Sequence, residues 1–317
     1  MTPRRIVCVT LNPSIDRTLR KIGTDEAGWR THLEHETAGG KGNNVARILR
    51  SLDVAVLSVV CAGRQGAGQM ADLLAQDGVP MHLIQSPHNV RFHTTILDAG
   101  NGGPLFVHEA GPPYWNGLYE DVCRGLSEVC RDGDLVVIAG SPPPSSPFTI
   151  VGDLMHEFAQ YPIAIDVGPQ YLVWALKAGP YLVKVNQHEW RGTLQEVPSE
   201  DAPIDDVVRR ASLSCLDGAV ATLGAGGSVG YWPEECITVQ PVGVQKVVSS
   251  LGAGDAFMAG LLWGIYRGDS KAECMARAAA VAAESIRWPI AGRIAPSHVQ
   301  VENVKVSSRK LGRHGTW

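Results

Sequence analysis

The chain has 317 residues, 44% of them apolar, enough to enclose a large core, and its formal net charge of −4 argues against nucleic acid or an anionic membrane as a bulk electrostatic partner. Seven cysteines, at positions 8, 61, 123, 130, 215, 236 and 274, offer no C-x-x-C spacing. Neither a disulfide framework nor a structural zinc site is expected, and a reducing, cytoplasmic setting fits. No apolar run reaches the roughly 18 residues of a membrane helix, and the opening MTPRRIVCVTLNPS turns polar too early for a signal peptide.

In chain order, the apolar run 6–10 reads as a strand buried on both faces. Runs 54–61, 135–139, 163–167, 181–185 and 219–223 repeat the pattern, which marks parallel strands. Helical patterns lie between them. Val45, Ile48, Leu49 and Leu52 fall at i, i+3, i+4 and i+7, with Asn43 or Asn44 near the helix start. Residues 68–78 and 205–218 each stop at a glycine, and 270–288 is a long Ala-rich helix before Pro289. This alternation predicts an α/β fold with a doubly wound, mostly parallel sheet.

Two segments break the alternation, 12–37 and 90–110. The second reads as a hairpin turning at Asn101-Gly102. Both are expected to form a small β lid over one edge of the core, or else two surface hairpins without a role. The basic tail, 305–317, is expected to fray.

Chemistry is expected at three places. The first is SLGAGDAFMAG, where Gly252-Ala253-Gly254 precedes Asp255 and a buried apolar helix. A helix N-terminus presents unpaired N–H groups to an anion. Asp255 then either caps the helix or takes a proton from a hydroxyl attacking a phosphoryl group held there. The second is AGGKGNN, 38–44. Lys41 is followed by Gly42 rather than Ser or Thr, so this is no Walker A loop. Gly39 and Gly40 can still bare amides, with Lys41 and Asn44 as donors. The third is a pair of acids after strands, Asp166 and Glu189, suited to holding Mg²⁺ mostly through waters. Helix capping is the alternative role, better suited to Asp166 than to Glu189. The run LGAGGSVG (223–230) has valine where a dinucleotide fingerprint needs its last glycine, and it lies between strands. The histidines show no metal spacing.

Taken together, AGGKGNNVARIL, SLGAGDAFMAG, the opening VTLNPSID and the middle VKVNQHE and ATLGAGG resemble the PfkB family of carbohydrate kinases, in the ribokinase-like superfamily. The likeness runs from about residue 6 to about 292. TLNPSID, GGKG and LKAGPYLVKVN look most like the hexose-phosphate branch, 1-phosphofructokinase and tagatose-6-phosphate kinase. The resemblance implies one kinase domain, a three-layer α/β/α sandwich with a β lid that often pairs into a homodimer, and ATP and Mg²⁺ as cofactors. It implies that Asp255 is the general base and that the amides of Gly252, Ala253 and Gly254 form the anion hole. Asp16, Gly39, Gly40, Lys41 and Asn44 would hold the sugar hydroxyls, and Arg91, with Ser141, the sugar's own phosphate. Lys184, Thr222, Gly224 and Gly227 would line the ATP phosphates and ribose. Asn186 and Glu189 would form the N-x-x-E motif that organises Mg²⁺. Val185 replaces a usual proline, Asn43 a common apolar residue, and Gly28 and Leu105 stand where some relatives are basic. The implied activity is phosphorylation of fructose 1-phosphate to fructose 1,6-bisphosphate. Alternatives are tagatose 6-phosphate, fructose 6-phosphate, an unphosphorylated sugar or a nucleoside as acceptor, and a non-catalytic sugar or nucleotide sensor.

Overall fold

The computed structural model describes residues 2–26, 28–98, 103–193 and 203–311. The chain enters through β1 (Arg5–Thr10), leaves the core for β2 (Ser14–Asp25) and β3 (Gly28–Gly39), and returns through α1 (Lys41–Ser51) to β4 (Val56–Gly63). Next come α2 (Ala67–Gln76) and β5 (Met81–Ser86), then a second excursion, β6 (Arg91–Leu97) and β7 (Leu105–His108). Alternation resumes with α3 (Leu118–Val129), β8 (Asp134–Ala139), α4 (Ile150–Glu157), β9 (Ile163–Asp166), α5 (Pro169–Lys177) and β10 (Leu182–Asn186). After α6 (Gln187–Thr193), α7 (Ile204–Ser212) and β11 (Gly218–Thr222), the strands β12 (Ser228–Tyr231) and β13 (Glu235–Val239) form a meander. The helices α8 (Ala253–Arg267) and α9 (Lys271–Ser285) follow, and β14 (Val306–Lys310) completes the fold.

Among the described residues the main sheet has the order β14-β13-β12-β11-β10-β9-β8-β1-β4-β5. It is parallel from β11 to β5 and antiparallel beyond β11. The inner parallel strands are largely apolar because both faces are covered; β4 and β8 are buried at every residue. One face packs on α1, α2, α8 and α9 through residues such as Ile48, Leu74, Leu262 and Met275. The other packs on α3, α4, α5 and α7 through Leu126, Leu154, Leu172 and Val208. The alternating helices on both faces make the expected α/β/α layers, beside a second, four-stranded sheet.

That smaller sheet has the order β3-β2-β6-β7 and comes from the two excursions. Its β2–β6 pair is parallel, flanked by antiparallel β3 and β7. The turn expected at Asn101-Gly102 lies outside the described residues. The tail departs from expectation: Val306–Lys310 is an edge strand paired with β13 from Glu235↔Lys310 to Val239↔Val306. Its remainder, 312–317, lies outside the described residues. At the α1 start Asn43 and Asn44 lie near the helix start as expected, but neither caps it, since Gly40 is the N-cap with no side-chain cap bond. Asn43 is buried instead, donating to Gly39 O at 2.8 Å and accepting from Ser58 Oγ at 2.7 Å. No helix of the described residues is long and apolar enough to cross a membrane.

Candidate active site

A cleft of about 1190 Å³ opens at the carboxyl ends of the parallel strands, where β1 has neighbours running outward on either side. That reversal point is where open α/β sheets place ligands. Thr10, Ala139, Asn186 and Thr222, each at or beside a strand end, line it. So do the α1 start and the α8 start, brought together from opposite ends of the sequence.

The α8 start removes the capping role from Asp255. Gly252 is the N-cap, at φ 77 in the left-handed region, and a side chain there would also meet Ala291. Asp255 sits in the first turn without capping it. Its Oδ2 accepts a bond from Asn44 Nδ2 at 2.7 Å, across from α1. Burial pushes its carboxyl up to about 6, Asp166 adds to the rise, and Lys41 and the Asn44 bond offset part of it. The amide of Ala253 donates to Ser250 O at 3.2 Å, which removes it from the expected anion hole. Gly254 and Asp255 then present the helix's first-turn amides, for which an α-helix supplies no acceptor.

Beneath Asp255 lies a closed charge network. Lys41 Nζ donates to Asp166 Oδ1 at 2.8 Å and to Glu189 Oε1 at 3.1 Å, and Lys184 Nζ donates to Asp166 Oδ2 at 2.8 Å. Asp166 and Lys184 are 1% and 2% exposed, so neither charge is shared with bulk water. Burial works against the Asp166 charge, yet Lys184 and Lys41 hold its carboxyl below the ordinary value. Burial likewise opposes the Lys41 ammonium, and Asp166 and Glu189 overcome it and hold its pKa up. This corrects the expectation for Asp166 as a Mg²⁺ ligand: both its oxygens are engaged by lysines. Lys41 and Lys184 line the cleft, but their bonds go first to this carboxylate.

Glu189 is engaged as well. Its Oε2 accepts from the Asn186 amide at 2.9 Å, while Asn186 Oδ1 accepts from the amides of His188 and Glu189, each at 2.9 Å. The pair is a reciprocal capping box at the start of α6, the role expected rather of Asp166.

The lid forms the opposite wall. Its register sets Asp16, His93 and His108 side by side on β2, β6 and β7. Ser14 Oγ donates to Asp16 Oδ1 at 2.6 Å. Burial raises the Asp16 carboxyl, opposed by that bond and by Arg47, Arg91 and His108. Gly39 is required by the close approach of Asp16, whose carboxylate occupies the space a Cβ would need. Arg91 is tied down by three backbone carbonyls, Asn12 O at 3.1 Å, Glu109 O at 3.2 Å and Pro13 O at 3.4 Å. Gly28 and Leu105 do not line the cleft, and nearby Arg30 pairs with Asp25 at 2.8 Å.

Four buried side-chain polar atoms have no hydrogen-bond partner among the described residues: Asn12 Oδ1, Asn44 Oδ1, His93 Nε2 and Ser228 Oγ. All four residues line this one cleft. Buried polar atoms are otherwise nearly always paired, so the cleft is shaped for a polar ligand. Residues 7–296 match the sequence model of the pfkB family carbohydrate kinases. The chain belongs to this family.

This pfkB carbohydrate kinase is similar to the 1-phosphofructokinase of Haemophilus influenzae, 26% identical over 89% of this chain and 90% of that one. It is also similar to the 1-phosphofructokinase of Haloferax volcanii, 28% identical over 85% and 87%, and to that of Escherichia coli, 28% over 89% and 91%. In fold it matches Escherichia coli phosphofructokinase-2 in complex with substrates and products, with TM-score 0.83, 23% identity and coverage of 93% and 97%. A carbohydrate kinase from Agrobacterium tumefaciens matches with TM-score 0.71, 23% identity and coverage of 98% and 100%. The pfkB kinase is thus a phosphotransferase with a sugar hydroxyl as acceptor.

Of the catalytic, substrate, nucleotide and metal residues expected from sequence, all line the cleft except Gly39, packed behind Asp16, and Asp166, under the lysines. Asn12, His93, His108 and Ser228 were not foreseen. Asn12 lies inside the TLNPSID motif, which was a usable signal. His93 and His108 become neighbours only through strand register.

Proposed function

We propose that this chain transfers the γ-phosphoryl group of ATP to a hydroxyl of fructose 1-phosphate, giving fructose 1,6-bisphosphate and ADP. The observation that carries the reading is Asp255, a buried carboxylate in the first turn of α8, its pKa pushed up to about 6, facing a cleft lined by both glycine motifs. A base poised near neutral pH is suited to taking the proton of an attacking hydroxyl. As that proton passes to Asp255, the sugar oxygen forms a bond to the γ-phosphorus and the bond to the β-phosphate oxygen breaks. The amides of Gly254 and Asp255 stabilise charge on the transferred group. Asp16, Asn44 and Gly40 orient the sugar. Thr222, Gly224, Gly227 and Ser228 face the nucleotide.

Among the described residues no three His, Cys, Asp or Glu side chains come together as a metal cage. Mg²⁺ is compatible with this, since it keeps several waters and binds largely through nucleotide phosphates. Glu189 lines the cleft and keeps 19% of its side chain exposed where Asp166 keeps 1%, so it would be the carboxylate to meet the ion's waters, and the ion would neutralise phosphate charge. Fructose 1-phosphate as acceptor draws support from the three relatives named 1-phosphofructokinase and from Arg91 at the lid wall. One observation favours a second reading, an unphosphorylated sugar: Arg91 already serves three carbonyls. The lid exposes Ile22, Trp29, Leu33 and Phe106, which suits pairing of two lids in a homodimer.

The test is ADP release with ATP and fructose 1-phosphate, fructose 6-phosphate, tagatose 6-phosphate or free fructose. Fructose 1-phosphate is expected to give the highest kcat/KM. Higher turnover of free fructose selects the second reading, and ligand binding with no ADP release on any sugar contradicts both.

A further inference from the structure

Four buried polar atoms without partners belong to residues that line the cleft, and one of them, His93 Nε2, lies outside both glycine motifs. The charge and tautomer of that ring follow from its neighbours. Ser14 Oγ gives its hydrogen to Asp16 Oδ1 at 2.6 Å, so only its lone pairs face His93 Nδ1, 3.5 Å away. Asp16 Oδ1 itself lies 3.6 Å from Nδ1. Both neighbours present acceptor atoms, which favours the ring proton on Nδ1 and the lone pair on Nε2. Burial holds the ring pKa down to about 4, aided by Arg91 beside it and by His108. The imidazole is therefore neutral in the physiological range. The His108 ring packs edge-on against it, with centroids 4.4 Å apart, and holds its plane.

A buried lone pair of this kind is repelled by a phosphate dianion, which has only acceptors to offer, and is satisfied by an O–H donor. Asn12 Oδ1 and Asn44 Oδ1 line the same cleft and are likewise acceptors without donors. We propose that His93 is a specificity-determining residue of the acceptor site, its Nε2 accepting a hydrogen bond from a sugar hydroxyl while Ser14 and Asp16 hold the proton on Nδ1. The inference rests on reading this cleft as the sugar site. It assigns β6 beside Asp16 to a hydroxyl and excludes the sugar's phosphate from that place.

The test uses His93→Phe, which keeps the ring shape and removes the acceptor, and His93→Gln, which returns an acceptor oxygen. Steady-state constants are measured with ATP and with the sugar that ranks first for the wild type in the panel above. The wild-type ranking decides the fructose 1-phosphate reading, and the variant-to-wild-type ratio decides the role of His93, so the two fail separately. His93→Phe is expected to raise KM for the sugar about tenfold, the worth of one hydrogen bond, with KM for ATP and the melting temperature unchanged. His93→Gln is expected to recover part of the loss. Analogues of that sugar lacking one hydroxyl each give the second readout. One analogue should lose about tenfold in kcat/KM on the wild type and show no further loss on His93→Phe. An unchanged sugar KM in His93→Phe overturns the proposal. So does an equal rise in both KM values with a lowered melting temperature, which marks a structural role alone.

Discussion

The two walls of the cleft are built on opposite electrostatic plans. On the sheet side, Lys41, Asp166, Lys184 and Glu189 are joined by bonds of 2.8–3.1 Å before any ligand arrives. On the lid side, Asp16, His93 and Asn12 stand in a row or beside it, with acceptors left over. Asp255 and Asn44 lie between, one carboxylate oxygen bonded and one amide oxygen not. The difference separates two tasks. A network of charges joined in advance fixes geometry before substrate arrives, which phosphoryl transfer requires because alignment supplies much of its acceleration. Unpaired acceptors read the substrate, because each is costly until a hydroxyl meets it.

Substitutions on the two sides should therefore fail differently. The largest effect is expected at the centre. Asp255→Asn should lower kcat about 10²–10⁴-fold while leaving the fold intact, as checked by circular dichroism and thermal melting. Next comes the paired wall. Asp166→Ala strands the buried Lys184 charge and leaves Lys41 with Glu189, and should cost about 3–5 kcal/mol in denaturant unfolding. Loss of activity without loss of stability there would break the contrast. On the lid, Arg91→Ala should raise KM for a sugar phosphate about tenfold or more and leave KM for ATP nearly unchanged, since Arg91 touches only lid and β1-end backbone. The smallest effect is in stability against pH. Folding raises the Asp255 pKa from 3.8 to about 6, so the folded state holds an extra proton between those values. This group's contribution to stability is thus greatest below pH 4 and falls as pH rises to 6, by at most about 3 kcal/mol. Asp255→Asn should remove that part of the slope and be at least as stable as the wild type at pH 7.

Much of this arrangement was legible in the residues, for reasons that also explain what was not. Strands such as β1 and β8 are apolar without a break over 6–9 and 135–139 because helices cover both faces, and that leaves a continuous signal. The strand β5 lies at one edge with only Ile84 and Ser86 buried, and β14 at the other is mostly exposed, so neither carries that signal. The glycine motifs showed where the two helix starts would meet, because close approach and positive φ demand glycine. Which charges pair was not readable. Asp166 looks like a free acid at a strand end until Lys41, 125 positions away, reaches it. Conversely, Asn186 and Glu189 carry a capping spacing in plain sight. His93 and His108 are fifteen residues apart and share a rung only because β6 and β7 pair in one particular register.

The most direct measurement is the pH dependence of kcat for the wild type and Asp255→Asn on the same sugar. The wild-type rate is expected to rise about tenfold per pH unit below an apparent pKa near 6 and to level above it. The residual rate of Asp255→Asn should lack that limb, which separates Asp255 from any titration of the substrate's phosphate. A flat wild-type profile, or the same acid limb in the variant, would contradict Asp255 as the base.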